Sequence, residues 1–168
     1  MERLAEQLRA VIVATDEYRR AVASALGIGV HEAAVLGELL HEGQLPPSAL
    51  VKRLGIASAS VTALLDRLEA AGFTRRERHP TDRRSVLVVL TPVGRRAIEA
   101  SFALFREDVY ESVARSEPAH IREFTVVLIK IAQALRERAA QPASIGEALT
   151  DRVRTAGVEE NRSAEPAG

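Results

Sequence analysis

Apolar positions along this 168-residue chain recur in two rhythms, and the change from one to the other divides it. Leu4, Leu8, Val11, Ile12, Thr15, Val22 and Leu26 follow the three-and-four spacing that gathers side chains on one face of an α-helix. Gly27 and Gly29 close that segment. From His31 to His41 the rhythm continues through Ala34, Val35, Glu38 and Leu39, and it stops at Gly43. Pro46 and Pro47 suit a helix start, so Ser48 to Leu54 reads as a short helix ended by Gly55. Ile56, Val61, Leu64, Leu65 and Leu68 then form one stripe that ends at Gly72. Two helices joined by a glycine-containing turn of three or four residues predict a helix-turn-helix.

After Gly72 the pattern becomes that of strands. Phe73 to Arg78 and Ser85 to Leu90 are joined by His79-Pro80-Thr81-Asp82-Arg83-Arg84, which predicts a β-hairpin. Thr91-Pro92 supplies a helix cap followed by proline at the first helical position. Val93 to Ala114 is helical again, with Ile98, Phe102, Phe105, Val109 and Val113 on one face. Pro118 opens a last long helix to about Ala139, marked by Ile121, Phe124, Val127, Leu128, Ile131 and Leu135. Beyond Gln141, Ser144 with Glu147 resembles a capping box, and Ile145, Leu149 and Val153 predict one short helix over 144–154. Small and charged residues dominate from Thr155 onward, and they read as a disordered tail. The expected fold is mainly α (α+β), a winged helix-turn-helix over 31–92. Long helices flank it at 1–30 and 93–140, and a tail spans 141–168.

Composition narrows the function. With 27% charged and 46% hydrophobic residues the chain has the make-up of a soluble globular protein. No apolar run approaches the ~20 residues a membrane span requires. The start, MERLAEQLRAV, lacks the apolar core of a signal peptide, so a cytoplasmic protein is expected. Cysteine is absent, which removes disulfides, thiolate metal sites and a cysteine nucleophile. His31, His41, His79 and His120 lack metal-binding spacing, and neither a phosphate loop nor a nucleophile elbow is present. No catalytic residue, metal or cofactor is therefore expected. Six aromatic side chains and no Trp give few platforms for stacking single-stranded bases.

Charge changes the picture most. The formal net charge is zero, yet Pro46 to Arg96 holds ten Lys and Arg against four Asp and Glu, leaving +6 there and −6 elsewhere. Such polarity turns one side of a protein toward a polyanion. The hairpin concentrates it, in Arg75, Arg76, Arg78, Arg83 and Arg84, with His79 as a further cation or a solvated residue. Arginines at a projecting turn suit a narrow minor groove. Asp82 is expected to pair with an arginine and hold the turn in shape. The second helix of a helix-turn-helix lies in the major groove and meets base edges with its amino end, here Ala57, Ser58, Ala59, Ser60, Thr62 and Ala63. Ser58 either caps that helix or contacts DNA. Arg67 either reaches a phosphate or stays a surface cation.

The run from Leu54 to Gly94, LGIASASVTALLDRLEAAGFTRRERHPTDRRSVLVVLTPVG, resembles the MarR (multiple antibiotic resistance regulator) family of bacterial transcriptional regulators. The match lies in SVTALLDRLEAAGF, in TDRRS, in LTPVG and in the long helices on both sides, over about residues 1 to 140. It implies a homodimer built from the terminal helices and a palindromic operator in double-stranded DNA. It also implies base reading by Ser58, Ser60, Thr62 and Ala63, and a wing marked by Asp82 and Arg84. Repression is the family's majority behaviour. Many members release DNA on binding a small phenolic or aromatic acid, and Thr15, Tyr18, Arg19 and His31 are the candidates to line that cleft. Ala57 stands where the family usually has a Ser or Thr cap. Ala59 and Ala63 replace longer polar groups, which shifts weight from base readout to the wing and DNA shape. Two alternatives are a winged helix used for protein interaction and a DNA-binding regulator without a small-molecule effector.

Overall fold

The structure, a computed structural model, describes residues 2–82 and 85–163. It comprises two compact units, Met1–Tyr110 and Glu111–Gly168. In chain order the elements are α1 (Glu2–Ala25), α2 (Val30–Glu42), α3 (Pro47–Leu54), α4 (Ser58–Ala70), β1 (Thr74–Arg78), β2 (Val86–Leu90), α5 (Pro92–Val113), α6 (Pro118–Ala139) and α7 (Pro142–Ser163). The mainly helical winged helix-turn-helix is the fold expected from the apolar rhythm. No single helix among the described residues is long and apolar enough to cross a membrane.

The first unit is organised around α2, whose Val35, Leu36 and Leu39 are fully buried. Leu50 of α3, Val61, Leu65 and Leu68 of α4, Val88 of β2 and Ile98 of α5 close around them. Each fully buried Leu or Val contributes roughly 1.5–3 kcal/mol relative to exposure, so this cluster fixes how α3, α4 and the hairpin sit on α2. The α3 and α4 axes turn through 114°, within the usual range for a helix-turn-helix. Gly55 makes that corner at φ 65°, ψ 26°, and its N–H bonds the Val51 carbonyl at 3.0 Å. A left-handed residue here is tolerated because glycine has no Cβ.

β1 and β2 pair antiparallel, with Thr74 opposite Leu90, Arg76 opposite Val88 and Arg78 opposite Val86. A third piece of sheet, unmarked by any alternating run, is the single residue Leu45. It exchanges both backbone hydrogen bonds with Val88, at 3.1 and 2.8 Å. The junction into α5 is held tightly. Thr91 Oγ1 accepts the Gly94 N–H at 3.0 Å and donates to the Gly72 carbonyl at 2.6 Å, so the predicted cap also ties the end of α4 to the start of α5. An ideal Cβ at Gly94 would lie 2.0 Å from the Phe73 carbonyl oxygen. Only glycine fits that approach.

The second unit differs from expectation at its end. α7 runs to Ser163, past the 144–154 helix and into the stretch expected to be a disordered tail. Arg138 fixes the corner before it, donating to Ser144 Oγ at 2.6 Å and to the Ser144 carbonyl at 3.0 Å.

Candidate nucleic-acid interface

α4 faces two ways because its apolar residues lie on one stripe. Val61, Leu64, Leu65 and Leu68 are buried, which leaves Ser58, Ser60, Thr62, Ala63 and Arg67 exposed on the other side. The cap reading of Ser58 is corrected: Ala57 holds the N-cap position in an extended conformation with no side-chain cap, and Ser58 is the first helical residue. Thr62 Oγ1 donates back to the Ser58 carbonyl at 3.1 Å. Its one donor is thereby used within the helix, and a methyl group and acceptor lone pairs remain for an outside partner.

The wing loop organises itself. The His79 N–H donates to the Ser85 carbonyl and the Ser85 N–H to the Asp82 carbonyl, both at 3.0 Å. Ser85 Oγ donates to Asp82 Oδ2 at 2.5 Å. His79 Nδ1 accepts the N–H groups of Thr81 at 3.3 Å and Asp82 at 3.1 Å, which builds His79 into the turn. Arg83 and Arg84, the expected wing cations, lie outside the described residues.

Several cations counted toward the basic segment are already engaged. Arg76 bonds Asp66 at 2.6 Å and also Glu69, and its backbone N–H donates to Glu69 Oε1 at 3.1 Å, so it fastens β1 to α4. Arg75 pairs with Glu77 along the strand at 2.6 Å. Arg53 on α3 bonds Glu38 at 2.8 Å and Glu42 at 3.0 Å, both on α2. Lys52 and Arg78 make no ion pair among the described residues. Arg67 is held by Glu32: its Nε donates to Glu32 Oε1 at 2.5 Å, while Glu32 Oε2 accepts the Gly29 N–H at 2.7 Å. Glu32 is only 6% exposed, a buried acid at the start of α2 that the apolar rhythm does not reveal. Burial pushes its carboxyl up, but the Gly29 N–H and the Arg67 guanidinium outweigh that and hold it below the ordinary value.

Within the first unit, α1, α2 and α5 also line an open cavity of about 480 Å³. Thr15, Tyr18 and Arg19 line it, as the sequence suggests. His31 does not; the histidine in the wall is His41, with Glu38, Phe102 and Phe105. His31 is the second residue of α2 and is exposed. Helix side chains lean toward the N-terminus, so a residue there leans past the end of the groove. Ala34, Gly37, Glu38 and His41 recur at three, four and seven residues, and that periodicity, with small residues opening space, is the signal that locates this wall. Tyr18 packs edge-on against Phe105 with ring centroids 5.5 Å apart. Its hydroxyl is shut off from solvent, without a partner in hydrogen-bond geometry among the described residues. Burial, then the nearby Asp108 carboxylate, pushes the phenol above its ordinary pKa.

Comparison with known proteins agrees with this geometry. Residues 30–86 match the model of the MarR family. The HTH-type transcriptional regulator YcgE of Bacillus subtilis is 32% identical over 126 residues, covering 74% of this chain and 77% of its own. A MarR family protein from Bacillus stearothermophilus superposes with a TM-score of 0.72 at 25% identity, over 80% of this chain and 94% of that one. A mutant of MepR from S. aureus, solved bound to an oligodeoxyribonucleotide, shares the fold with a TM-score of 0.61 at 21% identity, over 79% of this chain and 97% of its own. Relatives of this kind are regulators and not enzymes. With the matched segment lying on α2 to β2, and YcgE matched across three quarters of its length, this chain belongs to the MarR family of transcriptional regulators, built on the DNA-binding winged helix-turn-helix.

Proposed function

We propose that the chain works in the cytoplasm as a homodimer that binds a palindromic operator in double-stranded DNA and represses transcription until a small aromatic ligand releases it. The observation that carries this reading is the outward face of α4. Ser58, Ser60, Thr62 and Ala63 are exposed, short enough to let the backbone approach a duplex, and set beside a wing whose turn is braced by Asp82 and His79. Arg83 and Arg84 extend from that wing in sequence and are proposed as its groove contacts. MepR, with the same fold, was solved on an oligodeoxyribonucleotide.

Dimerisation is supported by what a single chain leaves uncovered. α6 has no buried residue, although Phe124, Val127, Leu128, Ile129 and Leu135 lie along it. Phe102, Phe105 and Tyr110 on α5, with Val11 and Ile12 on α1, are exposed as well. Exposed large apolar residues in such number support an interface. A two-fold dimer would set its recognition helices about 34 Å apart, one turn of duplex, which is why a palindrome is proposed.

The cavity supports ligand control. Its volume falls in the range of small-molecule sites, with aromatic walls from Tyr18, Phe102 and Phe105 for a flat ring and Arg19 for a carboxylate. Glu38, in the same wall, bonds Arg53 of α3. A ligand that disturbs Glu38 therefore acts directly on the helix-turn-helix, and coupling needs only a difference in affinity between the two arrangements.

Selection of duplex fragments from genomic DNA by the purified protein tests the reading. Enrichment of palindromic sites, bound by a species sedimenting as a dimer with steeply salt-dependent affinity, is expected. Failure to enrich any duplex at low salt would favour the protein-interaction alternative, to which Ala59 and Ala63 on the recognition helix lend some weight.

A further inference from the structure

Arg67 occupies a particular place on α4. Ser60, Ala63 and Arg67 stand three, four and seven residues apart, so Arg67 continues the stripe of outward-facing residues one turn toward the carboxyl end. Its side chain is 60% exposed, whereas that of Glu32, its partner on α2, is 8% exposed. The bond between them uses Nε alone. Among the described residues neither terminal nitrogen of the guanidinium has a hydrogen-bond partner, and the side chain is mostly exposed.

We infer that Glu32 is a positioning residue for DNA binding: it holds Arg67 from behind through Nε, so that the terminal nitrogens of the guanidinium face a backbone phosphate. The inference rests on the proposal that α4 enters the duplex. Two features support it. Glu32 is itself fixed, because its second oxygen accepts the Gly29 N–H, so the carboxylate is anchored and does not follow the arginine. A guanidinium, moreover, has donors on three nitrogens in a rigid plane, so one edge can be held while another binds an oxyanion. Lysine offers no such division of labour. An acid this close to a phosphate would on charge alone oppose binding, and its orienting effect must exceed that repulsion.

That conflict of sign makes the test sharp. The probe is a duplex enriched from a random library by the wild-type protein, and affinity is measured across a series of KCl concentrations. If the wild type enriches no duplex, the DNA-binding reading itself has failed, and that is known before any variant is made. Arg67→Ala is expected to weaken binding about tenfold and to lower the slope of log affinity against log salt by about 0.9 per protomer, one phosphate contact each. Glu32→Gln removes a negative charge yet is expected to weaken binding several-fold. The double variant should bind no worse than Arg67→Ala, because one residue acts through the other. Glu32→Gln binding as tightly as wild type, or more tightly, overturns the inference, and so does an unchanged salt slope in Arg67→Ala. If Glu32→Gln does not fold, Glu32→Asp decides. It keeps the charge but shortens the reach, so weakened binding upholds the role and wild-type affinity removes it.

Discussion

The two ends of α5 belong to differently built regions. Toward its amino end Ile98 is 4% exposed, part of a core that takes in Val35, Leu36, Leu39, Leu50 and Leu65. Toward its carboxyl end Val109 and Tyr110 are 43% and 69% exposed, and α6 beyond them buries nothing. Apolar content alone does not separate the regions, because α6 is as rich in Val, Ile, Leu and Phe as α4. The difference lies in what each stripe meets. The stripe of α4 meets α2 of its own chain, and the stripe of α6 stays exposed. One region owes its order to burial within the chain, and the other carries apolar surface that the proposed dimer would cover.

Core substitution should break this contrast on the first side. Leu65→Ala removes a side chain that is 2% exposed in the cluster joining α4 to α2. A loss of roughly 2–5 kcal/mol is expected, read as a lowered midpoint in urea at unchanged slope. A value under about 1 kcal/mol would mean that the cluster is not closely packed. On the second side, Phe124→Glu with Val127→Glu touches positions 53% and 40% exposed in the single chain. Helical content should survive. Sedimentation should show the dimer dissociating at much lower dilution than the wild type, a weakening of about 2 kcal/mol or thirtyfold. Unchanged association would move the interface elsewhere.

How much of this could be read from residues alone follows from the same contrast. Helices with an apolar stripe announced themselves by spacing, and the Thr91-Pro92 start of α5 by its capping chemistry, now seen as the Thr91 Oγ1 to Gly94 bond. Spacing says nothing of which molecule a stripe meets. Charge counting had a parallel limit: +6 over Pro46 to Arg96 was legible, but Arg53, Arg67, Arg75 and Arg76 turn out to be tied to acids. Most of those acids lie close by in space and far off in sequence. Glu32 is 35 residues from Arg67, and no local pattern marks it. Leu45 entered the sheet as a single residue, too short for any period. α7 runs past its last apolar position at helical spacing, Val153.

Acid should destabilise the first unit through Glu32. Its carboxyl is held below the ordinary value, so the stability it contributes is complete above the carboxylate pKa of the unfolded chain. That contribution is lost as pH falls from there through the lowered native value. Near neutrality, Glu32→Gln should cost about 1.5 kcal/mol, the low end for a hydrogen bond with a charged partner because Arg67 is mostly exposed. Melting curves of both proteins should converge as pH drops below about 4. A gap that stays constant across that range would show that Gln and Glu differ only in packing.

The smallest effect belongs to α7. Leu149 and Val153 are 56% and 72% exposed, so among the described residues the removal of 142–168 takes away little buried apolar surface. Arg138 loses its two bonds to Ser144, both at an exposed corner where water can replace them. Exposed polar contacts contribute little in net terms, and a change within about 0.5 kcal/mol is expected in the melting of the truncated chain. Association measured by sedimentation should likewise be that of the full chain. A truncated protein that dissociates more readily would show that the exposed residues of α7 belong to the same uncovered surface as those of α6, and the boundary between self-sufficient and partner-dependent structure would then extend to the end of that helix.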